Sequence, residues 1–144
     1  MIVKDIMNKD VKTIEPGNTV QEAAARMAKY NVGSLIVTKD GSLQGIVTER
    51  DITDKVVARA LSAARVKVSA IMTKDVILIS PERDIEDAAE VMIEKNVKKL
   101  PVIKGDSLVG IITSMDIVLA QPKLMEQMAS LFLMARGQKK NVAG

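Results

Sequence analysis

The sequence predicts an α/β (α+β) chain: two βαββα units packed sheet to sheet with pseudo-two-fold symmetry, plus a C-terminal helix. Three observations predict it. Residues 3–52 align with 68–117 at a constant offset of 65, and 23 of those 50 positions are identical, so the chain carries a duplicated structural unit. Within each copy the apolar spacing alternates between short β-rich runs and a helical i, i+3, i+4, i+7 pattern. A copy of about 50 residues is too small to bury a sufficient core alone, so two should pack together.

In the first copy, residues 11–14 form a short β-rich run stopped by Pro16 and Gly17. Thr19 and Glu22 then have capping-box spacing, in which each side chain satisfies an orphan backbone donor of a helix's first turn. Val20, Ala23, Ala24 and Met27 supply that helix's apolar face. Residues 34–38 and 43–48 are the next strands. They are joined at Asp40-Gly41, a type I′ hairpin signal because that turn needs positive φ at both central residues. A second helix begins near Thr48 and places Ile52, Val56, Ala60 and Leu61 on one side. The second copy repeats the order. Residues 76–79 form a strand stopped by Pro81, and Asp84 is the N-cap of a helix whose apolar face is Ile85, Ala88, Ala89 and Met92. Residues 100–104 and 108–113 form the hairpin, with Gly105-Asp106 at its turn. Each copy should give a small mixed three-stranded sheet. The expected organisation is a first unit over 1–60, a linker at 61–67, a second unit over 68–120, and a C-terminal helix and tail over 121–144. Pro122 can open that last helix. Leu124, Met125, Met128, Leu131, Phe132 and Ala135 form its apolar stripe, Gly137 ends it, and residues 138–144 fray. The stripe fits packing over the chain's own core and fits dimerisation equally well.

Apolar residues make up 47% of the 144, but there is one Tyr, one Phe and no Trp, so the core must be aliphatic. The absence of Cys removes disulfides, thiolate nucleophiles and Cys-based metal sites. The absence of His removes the commonest general base and a frequent metal ligand. Zinc and haem chemistry are therefore not expected, no metal site is predicted, and no nucleophile–base pair stands out as catalytic. The N-terminal residues are charged where a signal peptide needs an apolar run. No apolar stretch approaches the roughly 18 residues that span a bilayer. The expectation is a soluble, cytoplasmic protein without a membrane partner. A net charge of +3, with acids mixed among the bases, and a near-absence of stacking aromatics argue against nucleic acid.

Several duplicated motifs coincide. The copies open with Val3-Lys4-Asp5-Ile6-Met7 and Val68-Ser69-Ala70-Ile71-Met72. Asn31-Val32-Gly33-Ser34-Leu35 and Asn96-Val97-Lys98-Lys99-Leu100 lead into the second strand. Gly45-Ile46-Val47-Thr48-Glu49-Arg50-Asp51 and Gly110-Ile111-Ile112-Thr113-Ser114-Met115-Asp116 run from the third strand into the helix after it. Read as residues, Thr-x-x-Asp is the spacing of a helix N-cap and its N3 acid. Taken together, over about 115 residues, the motifs resemble a tandem pair of cystathionine-β-synthase-type (CBS) domains, a Bateman module, in which both copies match Gly-h-h-Thr/Ser-x-x-Asp with h apolar.

That resemblance implies adenosine-containing ligands, namely AMP, ADP, ATP or S-adenosylmethionine, bound in clefts between the paired units. It makes Thr48 with Asp51, and Thr113 with Asp116, the ribose-binding candidates. A carboxylate can accept from two vicinal hydroxyls, at roughly 1.5–3 kcal/mol per charge-assisted bond. The adjacent glycine would let the ligand approach the backbone. Thr13, Ile14, Pro16, Val32, Gly33 and Ser34 would line one adenine wall; Ile79, Ser80, Pro81 and Val97 would line the other. Lys98 and Lys99 are the leading phosphate candidates and Arg50 the next. Lys98 and Lys99 replace Gly33 and Ser34, and Met115 replaces Arg50, so the two clefts should be chemically unequal. The resemblance further implies a homodimer of such pairs. The expected function is a stand-alone regulatory, ligand-sensing module that is not an enzyme, has no cofactor, and signals through an unidentified effector protein. The alternative is a protein-interaction scaffold with the same fold and no physiological small ligand.

Overall fold

The computed structural model describes residues 1–133; Ala135, Gly137 and the tail over 138–144 lie outside the described residues. In chain order the elements are α1 (Val3–Ile6), β1 (Thr13–Ile14), α2 (Val20–Tyr30), β2 (Ser34–Lys39), β3 (Ser42–Thr48), α3 (Glu49–Ile52) and a π-helical turn at Thr53–Val57. There follow α4 (Val68–Ile71), α5 (Ile85–Lys95), β4 (Lys99–Lys104), β5 (Ser107–Thr113), α6 (Ser114–Ala120), a 3-10 turn at Pro122–Leu124 and α7 (Met125–Leu133).

The chain forms two compact units, and each draws on both sequence copies. The upstream unit comprises Asp10–Val76 with Lys104–Leu108; the downstream unit comprises Met1–Lys9, Ile77–Ile103 and the chain from Val109 onward. The leading segment of each copy is thus built into the unit that holds the body of the other. In the downstream unit Val3 N–H donates to Arg83 C=O (2.8 Å) and Lys4 N–H to Pro81 C=O (2.9 Å). In the upstream unit Val68 N–H donates to Asn18 C=O (2.9 Å) and Ser69 N–H to Pro16 C=O (3.1 Å). Val3 is buried with Ile85, Met92 and Leu100, as Val68 and Ile71 are with Val20, Met27 and Leu35.

Helix α2 forms because Thr19 and Glu22 complete the capping box and Val20, Ala23 and Met27 are buried along one face. It ends at Asn31, in the left-handed region at φ 53°. The upstream sheet has the order β1-β2-β3, parallel then antiparallel. Its hairpin turns at Asp40 and Gly41, with φ 52° and 79°, as the sequence predicts.

Two expectations need correction, and an alternative left open is decided. Residues 76–79 do not form a strand; β4 and β5 make a two-stranded sheet, joined by one parallel bridge from Ile79 to Val102. The reason is Pro101. In the upstream sheet Ile36 N–H donates to Lys12 C=O (3.1 Å). Pro101 occupies the position of Ile36, has no N–H, and cannot make the equivalent bond. The helix after Thr48 also ends early: Ala58 N–H reaches Thr53 C=O five residues back, and Ala60 turns left-handed at φ 56°. The wide turn shifts the helical face, so Val56 is buried while Ala60 and Leu61 are exposed. Finally, α7 packs in cis, with its Met128 and Leu131, and Leu124 of the preceding turn, in the downstream core and Phe132 against it. No described helix is long and apolar enough to cross a membrane.

Candidate functional site

Each ribose-type motif sits where a hairpin's returning strand becomes a helix, and the sequence builds that junction as a cap. In the upstream unit Asp51 N–H donates to Thr48 Oγ1 (3.1 Å) and Thr48 N–H to Asp51 Oδ2 (3.0 Å). In the downstream unit Asp116 N–H donates to Thr113 Oγ1 (3.1 Å) and Thr113 N–H to Asp116 Oδ2 (2.9 Å). Both motifs are therefore reciprocal capping boxes. In each, one carboxylate oxygen and the Thr lone pairs that face the helix are committed to the fold. The other carboxylate oxygen takes no part in the cap.

That oxygen differs between the units. Oδ1 of Asp51 accepts an ion pair from Lys55 Nζ at 3.1 Å, and the same ammonium donates to Ile71 C=O at 2.8 Å. Asp51 is 8% exposed. The position of Lys55 in the second copy is Ala120. Oδ1 of Asp116 accordingly has no partner among the described residues, and the side chain is half-buried.

The entry to the second strand differs in the same sense. Glu49 N–H donates to Gly33 C=O (3.0 Å), and Ser114 N–H to Lys98 C=O (2.9 Å). A Cβ on Gly33 would lie 2.7 Å from Glu49 Oε1, so the absent side chain is what lets that carboxylate fold over the strand entry. The upstream junction thus carries Glu49 and Arg50 around Gly33 and Ser34, with Ser34 opposite Thr48 in the hairpin register. The downstream junction carries buried Ser114 and exposed Met115 beside exposed Lys98 and half-buried Lys99.

The wall candidates divide by role. Ile14 and Ile79 are core residues, and Val32 and Val97 pack against the same cores. Pro16 and Pro81 lend their carbonyls to Ser69 and Lys4. Ser80 is exposed and bonded to Glu82 Oε2 at 3.0 Å. Thr13 gives its carbonyl to Arg26 Nη1 at 2.7 Å. The glycines of the motif open no approach for a ligand. A Cβ on Gly45 would meet Thr73 O at 2.5 Å, and one on Gly110 would meet Met7 Sδ at 2.7 Å and Asn8 O at 3.1 Å. The space is filled by the leading segments, bonded there through Thr73–Ile46 and Asn8–Ile111 pairs. Sequence reasoning missed Lys55 and Glu49. Lys55 stands four residues after Asp51, a helical ion-pair spacing that was there to be read.

Comparison with known proteins agrees with this architecture. The family profile "CBS domain" matches residues 3–58 and again 68–123. The CBS domain-containing protein YhcV of Bacillus subtilis is 34% identical over 119 residues, 83% of this chain and 84% of the relative. An inosine-5′-monophosphate dehydrogenase of Methanocaldococcus jannaschii is 35% identical over 116 residues, 79% of this chain but 22% of that enzyme. Among solved structures, the CBS domain pair of protein MJ0100, in complex with 5′-methylthioadenosine and S-adenosyl-L-methionine, matches with a TM-score of 0.75 and 30% identity. That match covers 85% of this chain and 97% of the other.

Proposed function

The chain belongs to the CBS domain family as a tandem pair, a regulatory ligand-binding module, and from that premise we propose that it senses an adenosine-containing ligand, with Asp116 as its principal ribose acceptor. The observation that carries this reading is the unpartnered Oδ1 of Asp116, set against the ion-paired Oδ1 of Asp51. An unpartnered carboxylate oxygen can take a ribose hydroxyl without first losing a bond. Asp51 must give up Lys55. Thr113 fixes the carboxylate's orientation through the capping box. Lys98 and Lys99 supply positive charge at the same junction for the phosphates of AMP, ADP or ATP. Ligand binding by protein MJ0100 supports the adenosyl class, and S-adenosylmethionine is the candidate that would leave the lysine pair unused. Arg50 is the cation in the upstream cap's first turn, Lys55 lies in the π-helical turn that follows, and Glu49 beside Arg50 opposes a phosphate. The module regulates rather than catalyses, passing its signal to an effector protein.

Calorimetry with AMP, ADP, ATP and S-adenosylmethionine tests this. Asp116→Ala should weaken the bound ligand by about 10- to 100-fold, the worth of one charge-assisted bond, and Asp51→Ala by much less. An equal loss in both variants, or no ligand binding below about 1 mM, overturns the reading.

Self-association is the second part of the reading. Met115 and Leu119, four apart on α6, are 50% and 74% exposed. A second copy of the chain covering them gives a homodimer. Sedimentation of a Met115→Lys, Leu119→Lys variant should then show a monomer where the unaltered chain shows a dimer.

A further inference from the structure

A groove of about 640 Å³ runs in the upstream unit between the outer face of α2 and the segment that leads into β1. Three cations line it: Lys12, Arg26 and Lys29. Two acids also line it, but both are committed. Asp10 pairs with Lys12 at 2.8 Å. Glu22 accepts from Thr19 N–H (3.0 Å) and Thr19 Oγ1 (3.1 Å) on one oxygen and from Asn18 Nδ2 (3.0 Å) on the other. Arg26 and Lys29 have no carboxylate partner among the described residues. Arg26 spends one donor on Thr13 C=O, at the open edge of the sheet, and is thereby held with the rest of its guanidinium fork available. The ammonium groups of Lys12 and Lys29 stand 4.3 and 5.4 Å from the centroid of the Tyr30 ring, which gathers both charges at one end of the groove.

The helix does not need these cations, although Arg26 also bonds the edge strand through Thr13 C=O. The corresponding positions of the second copy are Ile77, Val91 and Glu94, and that copy builds the same helix on the same apolar face without them. A charge cluster present in one copy alone, with two members in no ion pair among the described residues, points to a task outside the fold.

We propose that this groove is an anion site that takes a small phosphate-bearing molecule through Lys12, Arg26 and Lys29. A phosphate carries close to two negative charges at neutral pH and matches an Arg fork bidentately, while lysines add point charges. Three cations against the carboxylates of Asp10 and Glu22 leave the groove a net charge of +1, and both Glu22 oxygens are turned to Thr19 and Asn18, so Arg26 and Lys29 are what the groove offers an anion. None of the ribose or phosphate candidates lines the groove; Thr13 alone is shared with the wall candidates, and here it contributes its carbonyl.

The test is calorimetry with inorganic pyrophosphate at low and at physiological ionic strength, paired with two-dimensional NMR of the full chain. Saturable binding is expected, weakening with salt, with shifts at Thr13 and Tyr30. Lys29→Glu and Lys12→Ile install the residues of the other copy at exposed or half-exposed positions. Each should weaken binding about tenfold or more without lowering the melting temperature, while Asp116→Ala should leave it unchanged. Absence of saturation below about 1 mM overturns the site, as does affinity indifferent to Lys29→Glu. Loss of binding in Lys98→Ala, Lys99→Ala rather than in the groove variants would place the anion at the other lysines and overturn it equally. Because the adenosyl ligand is read through Asp116 and this anion through Lys29, either proposal can fail while the other stands.

Discussion

The two caps make the same pair of hydrogen bonds and differ in what surrounds the second carboxylate oxygen. Thr48 and Asp51 close the upstream helix with distances of 3.0 and 3.1 Å; Thr113 and Asp116 close the downstream one with 2.9 and 3.1 Å. Around the first, Lys55 neutralises the remaining oxygen and Glu49 lies over Gly33. Around the second, the remaining oxygen has no partner among the described residues and two lysines stand where Gly33 and Ser34 would be. Duplication preserved what folding requires and released what it does not. A Thr-x-x-Asp motif therefore says that a helix starts; its neighbours decide whether the carboxylate is left for a ligand.

The largest expected effect tests how the motif glycines differ. Gly45→Ala would put a Cβ 2.5 Å from a backbone oxygen, Thr73 O, which is held by bonds to Ile46. Gly110→Ala meets first the sulfur of Met7, the end of a flexible side chain. Overpacking costs typically 1–3 kcal/mol, so Gly45→Ala should fall at about 3 and Gly110→Ala at about 1 in urea unfolding. Equal losses would mean that the leading segments are held alike in both units.

A smaller effect tests the cap asymmetry directly. Ala120→Lys places an ammonium four residues after Asp116, as Lys55 stands after Asp51. It should lower adenosyl-ligand affinity about tenfold, or about 1.4 kcal/mol, by occupying Oδ1. Lys55→Ala should do the reverse upstream, making a previously mild Asp51→Ala substitution costly for binding. Unchanged affinity in Ala120→Lys would show that the free oxygen is not what the ligand uses.

Much of this was legible in the residues. The gapless repeat gave two copies of one unit, and capping chemistry placed Thr19, Thr48 and Thr113 at helix starts. Asp40-Gly41 marked its hairpin. What escaped was non-local. Pro101 reads as an ordinary strand residue, because which carbonyl its missing N–H would have met, that of Ile77, depends on the register across the sheet. The glycines of the motif looked like room for a ligand because nothing in the sequence says that residues 7–8 and 72–73 pass across them. Lys55 could have been found, since its partner is one helical turn away; Glu49 could not, because its position depends on the missing side chain of Gly33 across the hairpin.

The smallest effect separates the two long helices, which share an apolar face but not a cap. Thr19 accepts from Glu22 N–H (3.1 Å) and Glu22 accepts in return, whereas Asp84 makes no side-chain cap bond. Thr19→Ala should cost about 1 kcal/mol and Asp84→Ala close to nothing. The hydrogen bond from Thr19 N–H, with those from Asn18 and the Thr19 hydroxyl, holds the Glu22 carboxyl below the usual carboxylate range. The unfolded chain therefore binds the proton more readily than the folded one. Its contribution is complete above the unfolded value of about 4.3 and is lost as pH falls through the lower folded value. Urea midpoints of the unaltered chain and Glu22→Gln should differ at neutral pH and converge in acid. A gap that persists below the folded value would mean that Glu22 acts through packing, and the contrast with Asp84 would then rest on the Thr19 hydroxyl alone.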